Sequence, residues 1–257
     1  MEEVALVLGS GGARGLAHIG AIRAIEEHGY RISSIAGCSM GAIITGMYAA
    51  GRIDEAEQWF KSINIREMLR LTDFKLTNQS LIKGYKVIDA LKEIVPDCRI
   101  EELPIPVSLS ATDLVSGNEV VFTEGSLYDA IRASMSIPLV FEPVERDGML
   151  LVDGGIVNPL PLNRVKRHKG DLLVAVNISG HDRLDSTDIN LLKIADRMAD
   201  VEIENTTRLS LGLYPPDILV TMRHYAFESF DFDRADEIIA EGYRLTKTAL
   251  ANVSKHV

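Results

Sequence analysis

The chain has 257 residues, 46% of them apolar, enough for one large domain with a sizeable core and too many for a mainly disordered protein. Acidic residues outnumber basic ones 37 to 27, which argues against a broad nucleic-acid-binding face and against strong attraction to anionic lipid, so no nucleic-acid partner is expected. Cys38 and Cys98 form neither a disulfide framework nor a metal motif, Met1-Glu2-Glu3 is acidic where a secretory signal is basic, and no apolar run approaches the roughly 20 residues of a membrane span; the expected home is the cytoplasm, with any membrane contact peripheral.

Taken in chain order, Val4 to Leu8 reads as a short buried strand. A glycine-rich loop follows, and Leu16 to His28 carries apolar residues at helical spacing until Gly29 stops it. Ile32 to Ala36 is a second strand, leading into Gly37-Cys38-Ser39-Met40-Gly41 and a helix of small residues, Ala42 to Ala50. Residues 54 to 95 read as helical with interruptions, and the polar stretch 71 to 84 within them is expected to be a flap. Strands are predicted at Val107 to Ala111, Glu119 to Phe122, Met149 to Val152 and Leu172 to Val176. Beyond residue 185 the pattern changes to two long amphipathic helices, Ile189 to Leu211 and Arg234 to Val253, around a short strand, Ile218 to Thr221. This succession predicts an α/β fold, a three-layer α/β/α sandwich around a mainly parallel central sheet.

Gly37-x-Ser39-x-Gly41 between a strand and a helix carries the most chemistry. A serine there sits on a turn too tight for flanking side chains, its hydroxyl pushed above the sheet edge, and the next helix aims its N-terminus at any anion formed. The plainer reading is a strand-to-helix turn with an incidental serine. Cys38 is expected to point away from the apex as a small packing residue.

Gly9-Ser10-Gly11-Gly12-Ala13-Arg14-Gly15 joins the first strand to the first helix. A dinucleotide site fails on register, because Arg14 stands where the third glycine belongs, and a Walker loop fails because Leu16 follows Gly15. An oxyanion hole facing Ser39 uses both glycine-rich turns in one mechanism. The alternative is a helix cap with Arg14 on the surface.

A serine nucleophile needs a proton acceptor. Met149 to Val152 delivers Asp153 to a strand end, followed by Gly154 and Gly155; alone, this would read as an ordinary turn. A free aspartate with a pKa near 3.9 is a weak base, so burial beside Ser39 would have to strengthen it. The order Ser39, Asp153, then His168 or His181 also fits an α/β-hydrolase triad. His18 and His28 fall in the first helix, and His168 lies among basic residues and reads as solvated. No spacing suggests a metal or other cofactor, and none is expected.

Three elements in fixed order, Gly-Gly-Ala-Arg-Gly, Gly-Cys-Ser-Met-Gly and Asp-Gly-Gly, resemble those of the compact bacterial patatin-like phospholipases. The likeness continues through Gly15 to Gly20, which includes His18, and through Ala111 to Gly117, Ala133 to Pro138 and Asp153 to Pro161, and covers residues 4 to 180. It implies a hydrolase domain over 4–180, with 181–257 as a mainly helical extension packed on it. It further implies a dyad without histidine: Ser39 as nucleophile, Asp153 as proton acceptor, and the backbone around Gly11, Gly12 and Ala13 as oxyanion hole with Arg14 nearby. Ser10 departs from the family's usual glycine. The implied substrate is a lipid or other acyl ester, reached through transient membrane-surface contact. A soluble-substrate esterase or thioesterase and an adaptor retaining the fold are the alternatives. Trp59, Phe60, Ile63, Ile65, Met68, Leu69 and Leu71 form a candidate apolar lid, or else pack in the core.

Overall fold

The computed structural model describes residues 2–63, 83–181 and 191–253. Its elements in order are β1 (Glu3–Leu8), α1 (Ala17–Glu27), β2 (Arg31–Cys38), α2 (Met40–Ala49), α3 (Ile53–Ser62), α4 (Tyr85–Ile94), β3 (Val107–Asp113), β4 (Asn118–Phe122), α5 (Leu127–Ser134), β5 (Val144–Arg146), β6 (Met149–Asp153), β7 (Leu172–Gly180), α6 (Leu191–Leu213), β8 (Ile218–Arg223) and α7 (Ala235–Val253). The expected flap at 71 to 84 and the apolar positions Ile65, Met68, Leu69 and Leu71 lie outside the described residues, save Lys83 and Gly84.

The eight strands form one sheet in the order β5-β6-β3-β2-β1-β7-β8, with β4 also on β3. β1, β2, β7, β8 and the first half of β3 are mutually parallel, while β4, β5 and β6 supply the antiparallel pairings. Side chains alternate along β1. Val4, Leu6 and Leu8 join the larger core beneath α1, α2 and α7, whereas Ala5 and Val7 face a smaller cluster with Ala36, Leu160, Leu162 and Ala175. The second layer is therefore thin: the segment around 160–165 and Leu211 of α6 cover it.

The C-terminal elements are part of this body. β8 extends the sheet beside β7. α7 lies so close on α1 that a Cβ at Gly20 would strike the Ile239 carbonyl, and one at Gly242 the Ala17 carbonyl. Among the described residues, no helix is long and apolar enough to cross a membrane.

Two elements escape the sequence pattern. β5 is three residues long, too short for an alternation to register. α5 is an eight-residue helix whose start is fixed by the Ser126 hydroxyl accepting from the Asp129 N–H at 3.1 Å.

Candidate active site

One topological feature makes the site. β4 occupies one edge of β3 along its whole second half, so β2 and β6 must share the other edge. β2 pairs with Val107 to Ser110 running parallel, and β6 pairs with Ala111 to Asp113 running antiparallel. The two strands consequently meet head to head, with Cys38 opposite Ser110 and Asp153 opposite Ala111. Ser39 is the next residue after β2, and Asp153 is the last of β6. The sheet thus brings the ends of two opposed strands together, where the sequence pattern suggested parallel strands ending on one edge.

Ser39 has φ 57° and ψ −121°, the strained turn expected of the elbow. Glycine at 37 and 41 is obligatory on contact grounds: a Cβ at Gly37 would strike the Gly41 carbonyl, and one at Gly41 the Leu8 carbonyl. The Ser39 N–H donates to Ser134 Oγ at 2.9 Å, and that hydroxyl donates to the Ser110 carbonyl at 2.7 Å. A backbone strain of about 1–3 kcal/mol is thereby held by a fixed buried relay.

Ser39 is 3% exposed and Asp153 5%. Ser39 Oγ donates to Asp153 Oδ2 at 2.5 Å. The other carboxylate oxygen accepts from the Gly155 N–H at 2.7 Å, with the Cys38 thiol 3.9 Å away. Burial raises the Asp153 pKa to about 6; the hydrogen bonds from Ser39, Gly155 and Cys38 oppose that rise. Asp153 is fixed through its backbone as well: Thr112 Oγ1 donates to its carbonyl at 3.0 Å, and its N–H donates to Ser136 O at 2.9 Å. Asp113 sets the register of β6, its Oδ1 accepting from Leu150 N–H at 3.0 Å and its Oδ2 from the Ser116 hydroxyl at 2.6 Å. Cys38 is fully buried, with its thiol packed beside Asp153, and burial, with the nearby carboxylates, pushes its thiol well up and keeps it neutral.

The glycine loop lies beside this pair. Gly12 has φ 58°, and a Cβ there would meet the Ser229 backbone, its carbonyl oxygen first. The Ala13 N–H, a candidate oxyanion donor by sequence, donates to that same Ser229 carbonyl at 2.9 Å. Gly11 and Gly12 remain as the loop's candidate donors. Arg14 is not on the surface: it is 4% exposed, and its Nη1 donates to the carbonyls of His224 at 2.9 Å and Phe227 at 3.1 Å. His18, in the first turn of α1, bonds the Gly9 carbonyl through Nε2 at 2.8 Å. A carbonyl only accepts, so Nε2 carries the proton; burial lowers this imidazole to about 4, against the raising effect of that bond.

Ser39 stands where two cavities meet. An apolar channel is walled by Met40, Ile43, Phe60, Ile63, Met135 and Phe141, with half-buried Trp59 also on it. Trp59, Phe60 and Ile63 are therefore channel wall and core rather than an outer lid. A more polar cleft opens on the other side past Ser10, Arg14, Asp153, Asp200 and Glu202. Phe230 and the Ser229 backbone border both. The histidine alternative finds no geometry: His168 is exposed, and exposed His181 bonds Glu204 at 3.1 Å rather than Asp153. Among the described residues, no group of three or more His, Cys, Asp or Glu could hold a metal ion.

Ser134, His18 and Ser229 were missed as site residues by sequence. Ser134 and His18 fall inside the quoted motif stretches, where their positions were a usable signal; Ser229 acts through its backbone and had none.

Comparison with known proteins gives a consistent grouping. Residues 6–165 match the family model of patatin-like phospholipases. An uncharacterised NTE family protein of Mycobacterium tuberculosis is 50% identical over 180 residues, which are 70% of this chain and 50% of that protein. Patatin-like phospholipase domain-containing protein 7 of Rattus norvegicus is 33% identical over 282 residues, 95% of this chain and 20% of that protein. Neuropathy target esterase sws of Drosophila melanogaster is 32% identical over 193 residues, 72% of this chain and 14% of that protein. The chain thus spans about half the length of its mycobacterial relative and a fifth or less of the animal ones. Among solved structures, VipD from Legionella pneumophila shares the fold at a TM-score of 0.50 and 13% identity, over 98% of this chain and 67% of that one.

Proposed function

This chain belongs to the patatin-like phospholipase family, and on that premise we propose that it is a lipid acyl hydrolase working through a Ser39–Asp153 dyad. The observation that carries the reading is the 2.5 Å hydrogen bond from Ser39 Oγ to a buried carboxylate whose pKa is raised to about 6. Such a carboxylate is ionised at neutral pH yet far more basic than a solvated aspartate, which suits a general base.

Ser39 Oγ attacks the ester carbonyl as its proton passes to Asp153 Oδ2. The N–H groups of Gly11 and Gly12, with the N-terminus of α2, stabilise the oxyanion. Collapse of the tetrahedral intermediate breaks the ester C–O bond, and the leaving alkoxide takes the proton from Asp153. Water then gives a proton to Asp153 and attacks the acyl-enzyme; collapse releases the fatty acid and returns the proton to Ser39. The acyl chain occupies the apolar channel, and the polar end of the substrate lies in the cleft. Arg14 holds the C-terminal turn in place rather than meeting the oxyanion.

Residues 4–180 form the hydrolase domain in this reading, and 181–257 complete it. The pairing of β8 with β7 and the Ser229–Ala13 bond support treating the two as one working unit.

The test is fatty-acid release from phosphatidylcholine vesicles and from a soluble short-chain ester by the intact chain, compared with Ser39→Ala and Asp153→Asn. Release from both substrates, lost in both variants, is the expected result. Release from the soluble ester alone would point to an esterase of soluble substrates, and release from neither would sink the hydrolase reading.

A further inference from the structure

The cleft beside Asp153 opens between the turn Ile137–Val140, the turn at 229–230 and α6. Each of these carries apolar side chains out into water. In the first, the Val140 N–H donates to the Ile137 carbonyl at 3.1 Å and Pro138 takes the first central position. Leu139 takes the second with φ 67°, where glycine is the favoured residue because any Cβ is strained, by about 1–2 kcal/mol. Its side chain is nonetheless 83% exposed, so nothing in the fold offsets the strain. Phe230, 51% exposed, stands at the mouth of both cavities. On α6, Ile194, Met198, Val201 and Leu209 are exposed at spacings of four, seven and fifteen, which is one stripe of the helix. That stripe borders the cleft directly, since Glu202 on the cleft wall lies one turn from Met198.

We propose that this rim is a docking surface for an uncharged or zwitterionic lipid surface. The inference rests on the reading of the centre as a lipid acyl hydrolase, and it names where that substrate is met. Two features select the occupant. First, the apolar surface is continuous: Phe230 belongs both to the rim and to the channel that ends at Ser39, so an acyl chain leaving a lipid surface passes from one apolar surrounding to another without entering water. Second, the charge around the mouth is acidic on balance: Asp200, Glu202, Glu204, Glu228 and Asp231 stand against Arg14 on the cleft wall, Arg197 paired to Glu204 at 3.0 Å and Arg234 paired to Asp231 at 3.5 Å. An anionic bilayer would be repelled and a zwitterionic one would not. The exposed stripe of α6 runs from Ile194 to Leu209, about 23 Å along the helix axis, a length suited to lying flat at an interface.

The experiment is sedimentation of the full chain carrying Ser39→Ala, which prevents turnover, with vesicles of phosphatidylcholine alone and of phosphatidylcholine mixed with phosphatidylglycerol. Leu139→Gly is the first variant, because glycine suits that backbone and the fold is retained; Met198→Ser and Leu209→Ser follow. Binding to phosphatidylcholine vesicles should fall about three- to tenfold with each change, and phosphatidylglycerol should not strengthen it. Unchanged binding in the triple variant, no binding by the parent chain, or binding that requires phosphatidylglycerol would each overturn the proposal. So would light scattering that shows a stable dimer dissolved by Leu209→Ser, which would assign the stripe to a second copy. A chain that binds vesicles through these residues yet cleaves no ester would overturn the hydrolase reading and leave the docking surface standing.

Discussion

Two regions build one site by different means. The N-terminal part, residues 3–153, contributes side chains: the Ser39 hydroxyl, the Asp153 carboxylate, and glycines whose lack of a Cβ lets strands and turns touch. The C-terminal turn after β8 contributes backbone to the loop beside the reacting pair, while its Phe230 side chain borders the two cavities. The carbonyls of His224 and Phe227 hold the Arg14 guanidinium, and the carbonyl of Ser229 holds the Ala13 N–H. In the first region identity matters and the shape follows from it. In the second region the shape matters, and many sequences could supply it. Hydrogen bonds to a charged group are worth about 1.5–3 kcal/mol each, so a backbone contribution is no weaker for being anonymous.

This contrast can be broken or sharpened by substitution. The largest effects should come from the side-chain region: Ser39→Ala and Asp153→Asn each lower kcat by about 10⁴-fold or more in ester hydrolysis. His168→Ala and His181→Ala should not show the roughly 100-fold loss that removal of a general base brings. Gly12→Ala comes next, with kcat down about 100- to 1000-fold, because a Cβ there is strained at φ 58° and strikes the Ser229 carbonyl beside the oxyanion loop.

Arg14→Met tests the join between the regions. It should cost about 3 kcal/mol in chemical denaturation and at least about tenfold in kcat, since two buried carbonyls lose their donor. Ser229→Ala is the matched control. It keeps the carbonyl and should change stability by less than about 0.5 kcal/mol. Equal losses for the two would mean that the turn acts through its side chains after all.

The last expected effect is read in stability rather than in rate, and it depends on pH. The Asp153 carboxyl has a pKa of about 6 in the fold against 3.8 ordinarily. The unfolded chain therefore releases this proton first as pH rises, and the stability the protonated group confers is lost between about pH 4 and pH 6. Asp153→Asn should accordingly be more stable than the parent by about 3 kcal/mol at pH 8, with the difference shrinking towards pH 4. Denaturant titrations of both proteins at the two pH values check this. An equally large advantage at pH 4 would tie it to packing rather than to the buried charge.

Much of this was legible in the residues. The strand cores, α1, α2 and the long C-terminal helices declare themselves by period, and the elbow and Asp153-Gly154-Gly155 by residues that only a tight approach demands. The meeting of Ser39 with Asp153 is different. It depends on β6 running antiparallel along the edge of β3 that β2 leaves free, and strand direction has no signature in the pattern of apolar residues. Ser134 and His18 were visible as motif members, but their acceptors and donors, the Ser110 carbonyl, the Ser39 N–H and the Gly9 carbonyl, are backbone groups that every residue carries. The same reason hid Ser229. Arg14 read as a neighbour of the oxyanion loop or, alternatively, as a surface residue; no carboxylate in the sequence signalled that it would be buried on carbonyls.

The measurement that bears most directly on the dyad is the rate of fluorophosphonate labelling followed by intact mass from pH 4 to pH 9. A Ser39–Asp153 dyad gives a single adduct on the parent chain, absent in Ser39→Ala, with a rate that rises through about pH 6 as Asp153 ionises and that is slow at every pH in Asp153→Asn. A rate that inflects nearer pH 7 and collapses on replacing His168 or His181, or labelling that Asp153→Asn leaves untouched, would contradict it.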